Sequence, residues 1–295
     1  MLGQFVLDWD AARLLTHDDD PEPAGFVERY EALVERRACF EPVAYITGEK
    51  EFWNLSFEVS AAVLIPRPET EAIVEAALAR FPGATPFAVA DVGTGSGCLA
   101  VALSSERPLA AVTATDISAE ALHVARRNAA RHEVASRIRF IETDLLDGVE
   151  GPFDLIVSNP PYVPESDRGT LQADVRDYEP HLALFAGDDG LALVRRLLTQ
   201  ATSRLIAGGT LMFEFGFGQA DAVTGLIART AGLEMIELKP DLQGIPRVAI
   251  VERAQPTKHE ATKARRHEEY KSSRASAFVS SVSSVVAFPQ ACCLM

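Results

Sequence analysis

From residue 86 onward the chain repeats one pattern: a short apolar run, a loop, then a helical stretch. The pattern predicts strands at 87–92, 111–116, 138–142, 153–158, 209–215, 233–238 and 246–252. Helices are predicted between them at 97–105, 118–132, 190–206 and 218–231. Runs such as Phe153-Asp154-Leu155-Ile156-Val157 are rich in branched residues, as in strands buried on both faces. Alternation of this kind implies an α/β fold, a mostly parallel sheet with helices on both faces. Ligands on such a sheet bind outside the carboxyl ends of the strands, where strand order reverses. The first four strand ends are therefore the expected place for a ligand site.

The first strand runs into Gly93-Thr94-Gly95-Ser96-Gly97. Glycines at this turn let backbone approach a ligand closely, because no Cβ intervenes. The dinucleotide pattern G-x-G-x-x-G fails, since Cys98 holds its last position, and no Gly-Lys-Ser/Thr follows for a phosphate loop. The second strand ends at Asp116, suited to accept from two vicinal ribose hydroxyls. The third is followed by Asp144 and Leu145, suited to an exocyclic amine and an adenine ring. Each carboxylate taken alone reads more readily as a helix cap or a solvated charge than as a ligand contact. In order along consecutive strand ends, they favour a nucleoside without pyrophosphate, S-adenosylmethionine, with S-adenosylhomocysteine as its product.

The fourth strand stops at Ser158-Asn159-Pro160-Pro161-Tyr162. Neither proline can donate to a ladder, and each disfavours the helical region for its predecessor, so the loop is stiff and extended. A side-chain amide oxygen, a free carbonyl and an aromatic ring then meet at one strand end. They could grip a planar NH2 group, or form an ordinary proline-bounded turn.

The rest of the chain frames this region. Residues 1–43 read as a small, partial helical cap, with helical spacing around Trp9, Ala12 and Leu15 and again from Gly25 to Phe40, broken at Asp18–Pro21. Residues 44–66 read as a linking β-hairpin, with Tyr45–Thr47 extended and a turn at Gly48-Glu49-Lys50. Residues 67–252 form the main domain, and its long polar stretch 163–189 reads as a lid or binding loop. Residues 253–295 read as a disordered tail whose final Cys292-Cys293-Leu294-Met295 fits a prenylation pattern that short sequences match by chance. Cys39, Cys98, Cys292 and Cys293 lack metal spacing, so neither a metal site nor a disulfide framework is expected. No signal peptide or membrane span is evident, and cytoplasm is the expected compartment. The net charge of −14 falls on the body, because the tail carries more Lys and Arg than Asp and Glu. An acidic body argues against a protein that grips nucleic-acid phosphates.

Four segments together carry a family resemblance: Glu41–Gly48, Leu64-Ile65-Pro66-Arg67-Pro68-Glu69-Thr70-Glu71, Asp91–Gly97 and Ser158–Tyr162. Over about residues 9–252 the chain resembles the peptide chain release factor N5-glutamine methyltransferases. The resemblance implies a Rossmann-like class I S-adenosylmethionine-dependent methyltransferase whose helical cap helps to hold a release factor. It implies methyl transfer to the glutamine amide nitrogen of a Gly-Gly-Gln motif in class I release factors. Asn159, Pro160 and Tyr162 are then catalytic, with Asn159 Oδ1 and the Pro160 carbonyl accepting the amide hydrogens and Tyr162 packing on the amide. Pro161, Arg67 and Glu71 join them in binding the substrate. Gly93, Thr94, Gly95, Ser96, Gly97, Asp116, Asp144, Leu145 and Asn159 hold the cofactor. A monomer without nucleic-acid or membrane partners is expected. Two enzyme alternatives use the same Asn-Pro-Pro-Tyr loop, an adenine N6-methyltransferase and a ribosomal-protein glutamine methyltransferase. A third alternative is a silent module that binds S-adenosylmethionine or a release factor.

Overall fold

The main sheet has seven strands, and their order places the reversal point where the sequence motifs cluster. In the computed structural model, which describes residues 1–17 and 20–255, the strands are β3 (Phe87–Val92), β4 (Ala110–Asp116), β5 (Ile138–Glu142), β6 (Phe153–Ser158), β7 (Leu205–Glu214), β8 (Leu233–Pro240) and β9 (Pro246–Arg253). They lie in the order β5-β4-β3-β6-β7-β9-β8. The pairs from β5 to β7 are parallel, and β9 runs antiparallel to both β7 and β8. The chain moves outward from β3 through β4 and β5, then returns to pair β6 against β3. The crevice between the ends of β3 and β6 is thus the switch point of the sheet.

Side chains alternate across the strands and feed two cores. On one face Leu155 and Val157 of β6 pack with Ile73 and Val74 of α5 (Glu71–Arg80), Leu99 and Leu103 of α6 (Cys98–Glu106) and Ala129 of α7 (Ala119–Arg131). On the other, Phe153 and Ile156 meet Val194 and Leu197 of α9 (Ala192–Arg204) and Val223 and Ile227 of α10 (Ala220–Arg229). This two-sided cover is the arrangement that the buried strands require.

At the N-terminal end, α1 (Leu2–Leu7), α2 (Ala11–Thr16) and α3 (Phe26–Ala38) contain no buried residue, so they form no core of their own. The Asp10 side chain caps α2 by accepting from the Arg13 N–H. Tyr45-Ile46-Thr47 departs from the extended expectation and lies in a helical turn, α4 (Val43–Thr47). Pro42 opens this turn and Gly48, at φ +76°, closes it in the left-handed region, which outweighs the strand propensity of the residues between. The hairpin is correspondingly shorter, β1 (Glu49–Phe52) and β2 (Leu55–Glu58), and it turns at Trp53-Asn54 rather than at Gly48–Lys50. Both turn residues have positive φ, as a two-residue hairpin loop demands.

Stretch 163–189 contributes Pro180, Leu182, Ala183 and Phe185 to the wall of the cavity at the switch point. It holds two 3₁₀ turns and α8 (Ala173–Tyr178), and it is fastened at several points. Tyr178 donates to the Cys39 carbonyl, Arg37 reaches Asp174, and Arg67 pairs with the buried Glu179. The expected tail from residue 256 onward, with Cys292, and the break at Asp18-Asp19 lie outside the described residues.

Candidate active site

A cavity of about 460 Å³ opens at the switch point. It is walled by the Gly93–Ser96 loop after β3, by Asp116, Ile117 and Ser118 after β4, by Asp144 and Leu145 after β5, and by Ser158–Pro161 after β6. Thr70 and Arg67 close it from the segment ahead of α5. Four consecutive strand ends therefore converge on one volume, of a size usual for small-ligand pockets.

The glycine loop is held from beneath. Gly93 and Thr94 donate their N–H groups to the Thr115 carbonyl, and Gly95 donates to Asp116 Oδ2. Asp91, at the end of β3, accepts from Thr94 Oγ1 and from the Ala100 N–H through Oδ2, while its Oδ1 is buried without a partner. Burial pushes the Asp91 carboxyl up to about 7, with the nearby Asp116 adding to the rise and the two hydrogen bonds opposing it. Gly97 does not line the cavity. A Cβ there would lie 3.0 Å from Ala125 Cβ, so this glycine serves the close packing of α6 on α7. Asn128, fully buried on α7, accepts from the Glu58 N–H and donates to the carbonyls of Glu58 and Ser96, tying the hairpin, α7 and the loop together.

Asp116 does two jobs at once. Besides Gly95, it accepts from the Ser118 N–H through Oδ1, and both oxygens keep lone pairs for a ligand. Its carboxyl is raised by burial, against hydrogen bonds from Ser118, Gly95 and Ile117. Asp144 is more open and accepts from Arg196 at 2.8 Å. Leu145 and the exposed Ile117 provide apolar surface on the cavity wall, and Ile117 is a lining residue that the motif reading passed over.

At the end of β6, Ser158 Oγ donates to the Val92 carbonyl, locking the two central strand ends together. Asn159 Nδ2 donates to Thr70 Oγ1 at 2.9 Å, and Thr70 Oγ1 donates to Glu214 Oε2 at 2.5 Å. Asn159 Oδ1 is buried with no partner. No hydrogen bond reaches the Pro160 carbonyl among the described residues. Tyr162 departs from the expected packing against a substrate amide: it is absent from the cavity wall, and its hydroxyl donates to Glu214 Oε1 at 3.2 Å. Its phenol is held protonated by burial and by the charge of Glu214. Glu214, 2% exposed at the end of β7, is pushed up to about 7, first by burial, with Thr70 and Tyr162 opposing.

The Ile65–Glu71 segment divides its residues. Arg67 lines the cavity while bound to Glu179, whose second oxygen accepts from the Ile65 N–H. Burial raises the Glu179 carboxyl despite the guanidinium beside it. Glu71 points elsewhere: its Oε1 accepts from the Trp53 N–H and holds the hairpin turn, so it stands apart from the cavity. The residue of this segment that meets Asn159 is Thr70.

The cavity wall carries buried acceptors without partners. Asp91 Oδ1 and Asn159 Oδ1 are buried acceptors that an occupant bearing N–H groups would satisfy, and buried polar atoms left unpaired are otherwise costly. The two guanidiniums on its wall, Arg67 and Arg196, are each already paired with a carboxylate. With Asp91, Asp116, Glu120 and Asp144 on the wall against these two paired guanidiniums, the cavity suits a cationic nucleoside better than a phosphate.

A family model described as Methyltransferase small domain matches residues 74–175, and one described as PrmC N-terminal domain matches residues 1–48. Among solved structures, a methyltransferase from Pyrococcus furiosus superposes with a TM-score of 0.51 at 20% identity, over 78% of this chain and 99% of its own. The hMettl16 catalytic domain gives 0.54 at 16% identity, over 70% of this chain and 77% of its own. Fold and family model together define a Rossmann-like class I methyltransferase. The curated relatives narrow this. A release factor glutamine methyltransferase of Koribacter versatilis is 44% identical over 252 residues, 85% of this chain and 88% of the relative. That of Xylella fastidiosa Temecula1 is 46% identical over 246 residues, 83% and 88%. The chain belongs to the release factor glutamine methyltransferase family.

Proposed function

We propose that this protein transfers a methyl group to the side-chain amide nitrogen of the glutamine in a Gly-Gly-Gln motif of class I release factors. The observation that carries the reading is the pair of idle acceptors at the end of β6, Asn159 Oδ1 and the Pro160 carbonyl, in a cavity built at the switch point. S-adenosylmethionine, when bound, supplies an electrophilic methyl.

Asp116 would hold its ribose hydroxyls, Asp144, Leu145 and Ile117 its adenine, and the Gly93–Ser96 backbone with Asp91 its amino-acid portion. Acceptors on the cavity wall, Asp116 and the unpartnered Asp91 Oδ1, support this assignment. Asn159 and Pro160 would take one hydrogen each from the substrate NH2. An amide nitrogen is a poor nucleophile because its lone pair is delocalised, and acceptors on its hydrogens stabilise the positive charge that grows during attack. They also aim the lone pair, so positioning supplies much of the rate. Pro161 and Arg67 would line the approach of the peptide, Tyr162 would support Asn159 from behind, and the attacked nitrogen would lose its proton to water.

A helical cap that ends with the α4 turn, a hairpin over Glu49–Glu58 and a catalytic domain over 67–252 belong to the same proposal, with the cap gripping the release factor. A release-factor substrate would place the enzyme in the cytoplasm. No helix of the described residues is long and apolar enough to cross a membrane, and no group of three or more His, Cys, Asp or Glu among them could hold a metal. The test is incubation with methyl-labelled S-adenosylmethionine and, separately, a class I release factor and an adenine-containing oligonucleotide. Label on the release factor supports the reading. Label on the oligonucleotide alone overturns it.

A further inference from the structure

We infer that Thr70 and Glu214 are positioning residues that set which way the Asn159 amide faces, so that the acceptor is presented to substrate only when Glu214 is ionised. This rests on the proposed role of Asn159 and deepens it.

Glu214 receives Thr70 Oγ1 on one oxygen at 2.5 Å and the Tyr162 hydroxyl on the other at 3.2 Å. An O–H to carboxylate bond of 2.5–2.7 Å is the charge-assisted kind. A hydroxyl has one hydrogen, and Thr70 spends it on Glu214. Its oxygen therefore faces Asn159 as an acceptor only, and it can be satisfied by Nδ2 but not by Oδ1. Asn159 donates there at 2.9 Å, which leaves Oδ1 as the free acceptor.

A proton on Glu214 Oε2 reverses the chain. The carboxyl then donates to Thr70 Oγ1, the hydroxyl hydrogen turns toward Asn159, and the better partner for it is Oδ1. Rotation of the amide places its NH2 where the substrate NH2 needs an acceptor. The charges around Glu214 are few: Glu69 opposes its ionisation, Arg247 favours it, and the neighbouring Tyr162 and Cys98 are both held neutral by burial. Its carboxyl titrates at about 7, so the change falls in an accessible range.

Three separate parts of the sequence make the relay. Thr70 ends the 3₁₀ turn Pro68–Thr70 before α5, Glu214 ends β7, and Asn159 follows β6, which pairs directly with β7. Thr70 is 1% exposed, so the hydroxyl has no solvent role to explain it.

The experiment uses the full chain and a class I release factor. At saturating S-adenosylmethionine, kcat of the wild type rises with pH through a midpoint near 7, and Glu214→Gln removes that rise. Asp91 also titrates at about 7, but it is unchanged in Glu214→Gln, so the loss is assignable. Thr70→Val lowers kcat on the order of 100-fold while S-adenosylmethionine binds as before, and Thr70→Ser restores most of the rate. A second readout needs no turnover: the Asn159 side-chain NH2 resonances shift with the same midpoint in wild type and stay still in Glu214→Gln. A wild-type NH2 signal that does not titrate, or one that titrates equally in Glu214→Gln, overturns the inference. So does a Thr70→Val enzyme of normal kcat. Failure of the wild type to methylate any release factor would overturn the proposed substrate, while the resonance test would still decide the relay.

Discussion

Replacing Asn159 with Ala separates a functional side chain from a structural one, because the two roles predict opposite balances of stability and rate. In the folded protein Asn159 makes one hydrogen bond, Nδ2 to Thr70 Oγ1, and leaves Oδ1 buried and unpaired. Loss of the bond costs about 1 kcal/mol, and removal of the orphaned oxygen returns about 1–3 kcal/mol. Thr70 keeps its bond to Glu214, so no new donor is stranded. Net stability should therefore be unchanged or higher by up to about 2 kcal/mol, a rise of roughly 4–8 °C at most for a domain of this size. The rate behaves differently. Removing one group that stabilises transition-state charge costs about 10²–10³ in kcat. Thermal unfolding, calorimetric titration with S-adenosylmethionine and a methyl-transfer assay on one preparation measure all three quantities. A variant with unchanged or raised melting, near-normal cofactor affinity and kcat lower by about 10²–10³ fits the account. A fall in Tm of more than about 5 °C together with retained turnover would show that Asn159 only builds the turn.

Three further outcomes follow from the same geometry. Asp116→Ala should weaken S-adenosylmethionine at least tenfold, about 1.4 kcal/mol, in calorimetry, and Asp144→Ala should weaken it less, since Asp144 is more exposed and engaged with Arg196. Gly97→Ala should destabilise the fold by about 1–2 kcal/mol or more in denaturant titration, because the residue sits at φ +83° and its Cβ would press on Ala125. The raised carboxyls of Asp91 and Glu214 hold protons in the folded state that the unfolded chain gives up at lower pH. Stability from these groups is therefore fully present below about pH 4 and declines as pH rises from about 4 through about 7. Chemical denaturation of Glu214→Gln should show a shallower decline than wild type over that window, and an identical pH dependence would refute the burial argument.

Much of the sheet domain was legible because its strands are buried on both faces. Phe87–Val92, Ile138–Glu142 and Phe153–Ser158 fall where the apolar runs place them. β7 begins earlier than the expected residue 209, at Leu205, where a register shift opposite Phe153–Leu155 and Gly208 at φ +76° carry the added residues into the sheet. The helical turn Val43–Thr47 was signalled by Pro42 and Gly48, and strand-forming side chains masked it. Cavity residues contributed by loops after single strands, Gly93–Ser96, Asp116, Asp144, Leu145 and Asn159, could be read from local motifs. The supports of Asn159 could not. Glu214 is one glutamate at the end of an apolar strand, and nothing near it in sequence shows that Thr70 and Tyr162 converge there. Asn128 likewise sits in an ordinary amphipathic helix until its three partners are seen in space. Arg67 and Glu71 share a motif yet serve different neighbours, because a 3₁₀ turn between them rotates Arg67 and Thr70 to the cavity and Glu71 to the hairpin.

The central claim is that this cavity methylates a glutamine amide. Its most direct measurement is tandem mass spectrometry of a class I release factor after incubation with S-adenosylmethionine and either wild-type enzyme or Asn159→Ala. The account predicts one added methyl, located on the side chain of the Gly-Gly-Gln glutamine, with wild type and its near absence with the variant. An unmodified release factor after exposure to active-folded wild type, or a methyl at any other residue, would contradict it.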